Sequence, residues 1–396
     1  MFPKKTVRDV PIDDRTVLLR TDFNVPLDEH GIIQDDYRIR MALPTINYLR
    51  ERGCKLIIAT HLGRPGGVPD PKLSLRLVAM RLSELLGIEV PFVPQVVGDQ
   101  VVQTAKTLQP RGVMMIENLR FHPGEKANDP AFAQALAVPA EYFVQEGFAV
   151  VHRAHASTSA ITQELPSVAG FLVEKEVATI RRAIVAPTKP VAAIIGGSKI
   201  QTKIDVIENF FKIANYLIVG GVMANTFLKA MGYKIGKSVY DESEVNTAKN
   251  ILKMAKRAEI QPILPEIDVA VSNDFSELAQ RREVPTKHID KNEFIMDFGH
   301  QSIEHAIQTI SHVGTVLWNG PLGVYEFPQF RTASELLARF LAERHVDSIV
   351  GGGDTATFLH ETGLAHDFTH VSTGGGASLE LMAGKPLPGV DSLLDK

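Results

Sequence analysis

Along the chain, short β-branched runs alternate with stretches whose apolar residues recur every three or four positions. Thr16 to Arg20 (TVLLR), Lys55 to Thr60 (KLIIAT), Val113 to Leu119 (VMMIENL) and Tyr142 to Gln145 (YFVQ) have the length and make-up of strands. Between them, Arg38 to Arg52, Ser74 to Leu86 and Pro130 to Val138 carry the helical period. Strands alternating with helices predict a parallel sheet. After residue 190 the alternation resumes: Val191 to Ile195, a Gly196-Gly197-Ser198-Lys199 turn and a helical run from Ile200 to Ile213. NYLIVGGVMANTF (Asn215 to Phe227), SIVGGGDTATF (Ser348 to Phe358) and HVSTGGGASLELM (His370 to Met382) read as strand, glycine turn and helix start, while TVLWNGPLGVYE (Thr315 to Glu326) ends its strand in a turn. Between the two series, Val173, Val177, Ile180 and Ile184 form one apolar stripe among Glu174, Lys175, Arg181 and Arg182. This predicts a helix from Phe171 to Ala186, stopped by Pro187 and Pro190.

At 396 residues the chain exceeds the roughly 250 to 300 at which a single core stops growing, so two domains are expected. A hydrophobic content of 44% with 22% charged residues fits a globular protein. No apolar run approaches membrane-spanning length, and MFPKKTVRDVPIDDR has no signal-peptide core, so a cytoplasmic protein with no membrane partner is expected. Cys54 is the one cysteine, which excludes a disulfide framework and a multi-cysteine metal site. Before Phe171 there are 19 Lys and Arg against 19 Asp and Glu, and after it 23 against 27. Neither half is basic, which argues against nucleic acid as a partner.

In parallel sheets ligands collect beyond the carboxyl ends of the strands. Those ends in the first half carry Asp22 and Asn24, then His61 and Arg64, then Arg120 and His122, then His152, Arg153 and His155. Arg38 and Arg40 open the first helix. Guanidinium forks and imidazoles on one rim suit a small polyanion bearing phosphate and carboxylate. A histidine metal site is not supported, since no carboxylate or cysteine accompanies the histidines at ligand spacing and HExxH is absent.

The strand ends of the second half present glycines instead: Gly196-Gly197, Gly220-Gly221, Gly320, Gly351-Gly352-Gly353 and Gly374-Gly375-Gly376. Backbone amides at helix starts favour phosphate. Lys199 and Lys203, four apart, are expected on one helical face, where they would neutralise neighbouring phosphates. Asp354 reads either as an N-cap or as a magnesium ligand beside phosphates. A nucleoside diphosphate or triphosphate is implied. Asp297-Phe298-Gly299 spells a protein-kinase tripeptide, but no HRD loop precedes it, and GxxxxGK[ST] is absent. Gly351 to Ala356 matches GxGxxA, but the next strand ends in Ser372-Thr373-Gly374 without the acid that a dinucleotide ribose needs.

RTDFNVP (Arg20 to Pro26), HLGRP, ENLRF, HRAHAS (His152 to Ser157), SVAGFLVEKE, GGSKIQTK, NGPLGVYE, GGGDTA and STGGGASLE, in this order, resemble phosphoglycerate kinase from the first strand to the C-terminus. The resemblance implies an α/β protein of two Rossmann-like, parallel-sheet domains. Residues 1–168 with the returning tail 385–396 would bind the glycerate phosphate, 169–186 would be a hinge helix, and 187–384 would bind nucleotide. It implies a cytoplasmic, monomeric kinase of glycolysis and gluconeogenesis, using 3-phosphoglycerate or 1,3-bisphosphoglycerate and ADP or ATP, with magnesium carried on the nucleotide. By the same resemblance Asp22, Asn24, His61 and Arg64 hold the glycerate ligand, Arg120 and Arg153 its non-transferring phosphate, and Arg38 faces the transferring group. Lys199 follows the moving phosphoryl, and Lys203 binds nucleotide phosphates. Gly220, Gly221, Gly352, Gly353 and Thr355 line the nucleotide, Glu326 meets the ribose, Asp354 the magnesium, and the amides of Gly374 and Gly375 the transferring phosphoryl. This sequence departs from the family's pattern at Gln145-Glu146-Gly147-Phe148-Ala149, Ser198, Val222 and Asn225, which leaves base preference open. A non-catalytic two-domain binder of sugar phosphates or nucleotides is the alternative.

Overall fold

The structure, a computed structural model, describes residues 2–396. Its backbone divides into two compact units, Met1–Ala178 with Pro386–Lys396, and Thr179–Lys385.

In the first unit β1 (Thr16–Arg20), β2 (Lys55–Ala59), β3 (Phe92–Val93), β4 (Val113–Ile116), β5 (Tyr142–Gln145) and β6 (Ser167–Ala169) form one parallel sheet in the order β3-β4-β2-β1-β5-β6. Helices Tyr37–Glu51 and Arg76–Leu86 bury Ile39, Ile46, Leu49, Val78 and Leu82 in one core with Val17, Leu19, Leu56 and Ile58. Because both sheet faces are covered, the central strands read as unbroken apolar runs. β4 stops three residues before the predicted strand does. There the Glu117 carboxylate accepts from Leu75 N and Asn118 N, and Asn118 accepts from Arg120 N, so the chain turns into the Leu119–Phe121 helical turn. β3 and β6, of two and three residues, are too short to show a period. The last residues close this unit: Leu394 N donates to Ser167 O at 3.0 Å and Leu394 O accepts from Lys5 N at 2.7 Å.

The second unit holds a parallel sheet of β7 (Val191–Ile195), β8 (Tyr216–Val219), β9 (Gln261–Ile263), β13 (Thr315–Asn319), β14 (Asp347–Gly351) and β15 (His370–Val371), ordered β15-β14-β13-β7-β8-β9. A separate antiparallel sheet, β11-β10-β12, comprises β10 (Asp268–Ser272), β11 (Arg282–Pro285) and β12 (Phe294–Phe298). That sheet was not foreseen from the sequence. Strand order reverses between β7 and β13 in this unit and between β1 and β5 in the first, and such switch points open a crevice at the carboxyl ends.

The helix Phe171–Val185 forms as the apolar stripe predicts, with Val173, Val177 and Ile180 buried, and the boundary between the units falls inside it. Among the described residues no helix is long and apolar enough to cross a membrane.

Candidate functional site

In the first unit the chemistry gathers at the ends of β1, β2 and β4. Arg20, the last residue of β1, is 1% exposed. Its Nε donates to Ser157 Oγ at 2.8 Å, a terminal nitrogen donates to Thr21 O, and the other lies 3.3 Å from His61 Nδ1. Ser157 in turn gives its hydroxyl to Glu125 Oε1 at 2.6 Å and its N–H to Oε2 at 3.0 Å. A buried guanidinium requires such partners, and Glu125 and Asp22 supply the compensating charge. Asp22 pairs with Arg38 and lies 3.7 Å from His61 Nδ1. Asn24 Oδ1 accepts from Gly63 N at 2.8 Å, which fixes the turn that carries Arg64. Arg120, also buried, donates to Gly63 O at 2.7 Å.

Four arginines converge here, as their effect on His61 shows. Burial, then the charges of Arg20, Arg120, Arg38 and Arg153, hold that imidazole well below its usual pKa, so it is neutral. Burial followed by Arg20 and Arg153 brings Arg120 down to about 10. His152 and His155 are pushed down to about 4, chiefly by burial. Arg64 and Arg153 are exposed, and Arg38 is partly so. A buried neutral imidazole beneath a rim of accessible cations is an arrangement suited to an anion.

In the second unit the glycines at the switch point serve first to pack one loop on another. A Cβ on Gly196 would collide with the Pro321 carbonyl, and one on Gly221, which sits at φ 64°, would come within 2.7 Å of Gly197 N. Gly353 and Gly375 differ, since a Cβ on either would meet nothing within 4 Å. A cavity of about 270 Å³ opens beside these loops, lined by Gly197, Gly221, Val222, Asn225, Glu326 and Asp354 among others. Lys203 Nζ donates to Gly196 O at 2.5 Å and to Asn319 O at 3.2 Å, and also to Asn319 Oδ1. Burial lowers its pKa to about 8, against the opposing pull of Asp354.

Three expectations are corrected. The helix predicted from Ile200 to Ile213 spans only Ile204–Phe210. Glu244 takes Ile200 N and Gln201 N at 2.6 Å each and holds the preceding residues in turns, so Lys199 and Lys203 do not share a helical face. Asp354 is not an N-cap, because Gly352, at φ 96°, takes that position and Asp354 falls in the first turn of Gly353–Glu361. Thr355 is buried with its hydroxyl accepting from Gly320 N at 2.7 Å, so it braces the Asn319-Gly320 turn. Asp297 is buried too, its oxygens taken by Phe298 N, Ala333 N and Arg281.

The phosphoglycerate kinase family model matches residues 7–385. The chain belongs to the phosphoglycerate kinase family. A phosphoglycerate kinase of Pelotomaculum thermopropionicum is 44% identical over 393 residues, covering 99% of this chain and all of that protein. The cytosolic phosphoglycerate kinase of Triticum aestivum is 45% identical over 392 residues, 98% of this chain and 97% of that one. Among solved structures, phosphoglycerate kinase from Coxiella burnetii superposes with a TM-score of 0.89 at 36% identity, and that from Pyrococcus horikoshii with 0.82 at 30%, each covering 98% of both chains.

For a phosphoglycerate kinase the two sets of residues are thus laid out unit by unit. Asp22, Asn24, Arg38, His61, Arg120 and Arg153 are interlinked by contact or charge in the first. Gly221, Glu326 and Asp354 share a cavity wall in the second, while Lys199 is exposed and lies outside that lining. Gly374 N is taken by Ser372 Oγ at 3.0 Å, leaving Gly375, at φ 48°, to open the helix Gly376–Met382. Sequence reasoning passed over Arg20, Glu125 and Ser157, although Arg20 and Ser157 stand inside quoted motifs. Nothing local marks a residue whose partner is more than a hundred positions away.

Proposed function

We propose that the chain transfers a phosphoryl group reversibly from 1,3-bisphosphoglycerate to MgADP, giving 3-phosphoglycerate and MgATP, the phosphoglycerate kinase step of glycolysis and gluconeogenesis. What carries this reading is the pairing of two unlike sites in one chain: converging guanidiniums on one unit, and on the other a base-sized cavity flanked by a half-buried lysine. Arg120 and Arg153 grip the non-transferring phosphate, with Asp22, Asn24, His61 and Arg64 holding the rest of the glycerate ligand. Neutral His61 offers a hydrogen bond without adding charge. Arg38 and Lys199, both accessible, meet the transferring group from the two sides, and Gly374 and Gly375 line its path. Gly220, Gly221, Gly352 and Gly353 border the nucleotide, Lys203 holds its phosphates and Glu326 its ribose.

Magnesium fits as part of the nucleotide substrate. Among the described residues no three His, Cys, Asp or Glu come together to hold a metal unaided, and Asp354 stands exposed at the cavity wall. An ion with few protein ligands and several phosphate oxygens is the usual magnesium arrangement. There it would neutralise charge on the β- and γ-oxygens.

Direct transfer requires reacting atoms about 3 to 3.5 Å apart and water excluded. Closure by rotation near Pro166-Ser167, Ala186-Pro187 and Gly384-Lys385-Pro386 would meet both needs. Scattering should then give a smaller radius of gyration with both ligands bound than with either alone. The deciding experiment is ATP formation from ADP and 1,3-bisphosphoglycerate in a coupled assay. Turnover that needs both substrates and magnesium is expected. Tight binding of each ligand without turnover would instead leave a binding protein.

A further inference from the structure

The nucleotide cavity carries a polar group that the phosphate, ribose and metal assignments leave unused. Asn225, in the helix Gly221–Ala230, lines the cavity and is 3% exposed. Its Nδ2 donates to Val239 O at 3.0 Å, and Val239 lines the same cavity. A carbonyl accepts only from a donor, so this bond fixes which way the amide faces. The backbone at Val239 is itself held close to the helix, because Asp241 N donates to Thr226 Oγ1 at 3.1 Å. Oδ1 is left buried with no partner.

The rest of the lining does not offer an equivalent. Val222, Ala224, Val239, Phe294, Met296 and Leu322 are apolar. Asp297 has both oxygens engaged. Among the described residues Asn225 is the one lining side chain with a buried polar atom that lacks a partner. A buried acceptor without a partner, set among these apolar side chains, favours a ligand that brings a donor and penalises one that does not. Sites built around a hydrogen bond reject analogues that lack the partner more strongly than apolar pockets reject a misfit.

We infer that Asn225 selects the base: its amide oxygen accepts a hydrogen bond from the exocyclic amino group of a purine nucleoside diphosphate. The inference rests on the nucleotide reading of this cavity. It assigns to the Asn225 departure a specificity role, with no part in moving the phosphoryl group.

The test compares ADP, GDP and IDP, which carry a 6-amino group, a 2-amino group and neither. Wild-type protein should use IDP at least about tenfold less efficiently in kcat/KM than the better of the other two. The order of ADP and GDP shows which edge of the ring reaches Oδ1. Asn225→Leu, close in volume but without the acceptor, should bring the three nucleotides to within about twofold of one another, mainly through KM. Asn225→Ala should do the same if Leu perturbs packing, and a ratio taken within one protein does not depend on how much of it is active. An IDP penalty unchanged in both variants, or absent from the wild type, overturns the inference. Calorimetric titration with the same nucleotides, without glycerate ligand, separates this from failure of the nucleotide reading, which would show as no binding by any of them.

Discussion

Under the proposed function the two units would approach a phosphate from opposite chemical directions. The first uses side chains: guanidiniums, two of them buried, braced by Asp22 and Glu125. The second uses loops packed glycine against glycine and a half-buried lysine. The difference follows from the ligands. A three-carbon acid phosphate has little surface beyond its charges, so permanent cations must do the recognising. A nucleotide brings a flat ring and a sugar, and backbone amides with an apolar cavity suffice for much of it.

That contrast is open to attack at its strongest point first. Replacing Arg20 by Met removes the buried cation and leaves Glu125 without its compensating charge, which should cost about 3 to 5 kcal/mol. Urea unfolding should show a lowered midpoint for the first unit, with ADP affinity unchanged. A wild-type midpoint would mean that the network under the glycerate side is dispensable. Arg38→Ala and Lys199→Ala probe the two sides of the transferring group, and each should cut turnover by about 10²-fold or more, with smaller effects on KM. Near-normal turnover in either variant would remove that side from the chemistry.

The smallest effect is in pH. A lysine pushed down to about 8 loses its proton there in the folded protein but only near 10.5 in the unfolded chain. Between those values the unfolded state binds more protons, so folding stability rises with pH, while the charge needed for phosphate is being lost. ADP affinity should therefore fall about tenfold between pH 7 and pH 9, and Lys203→Met should flatten the profile. Affinity for 3-phosphoglycerate should stay level over the same range, since even Arg120 titrates only near 10. Parallel profiles for the two ligands, measured by calorimetry, would erase the contrast.

How far the sequence reveals this depends on range. Strands buried on both faces, such as Val191–Ile195 and Thr315–Asn319, announce themselves by their unbroken apolar runs, VAAII in the first and Val316–Trp318 in the second. The antiparallel sheet does not, because Arg282–Pro285 is mostly exposed and β10 pairs with β12 through a bulge. Glycine-rich turns point to the loops that border the cavity, yet not all for one reason: Gly196 and Gly221 are demanded by neighbouring backbone, and Gly353 and Gly375 leave open space. Lys203 was legible as a cation beside the glycine turn. The partial burial that lowers its pKa comes with a bond to Asn319, more than a hundred residues away.

The closing segment Pro386–Lys396 belongs to the first unit, where Lys4 bridges to Asp395 and Gly389 N bonds Val151 O. On the ribosome this has a temporal meaning. Residues 179–385 are continuous in the chain, whereas the first unit is assembled from two separated segments and waits for its final strap to emerge. The part translated first is thus finished last, and until the tail arrives Ser167 O and Val151 O lack the partners it supplies. Chaperones that bind nascent chains would find their longest-lived target there.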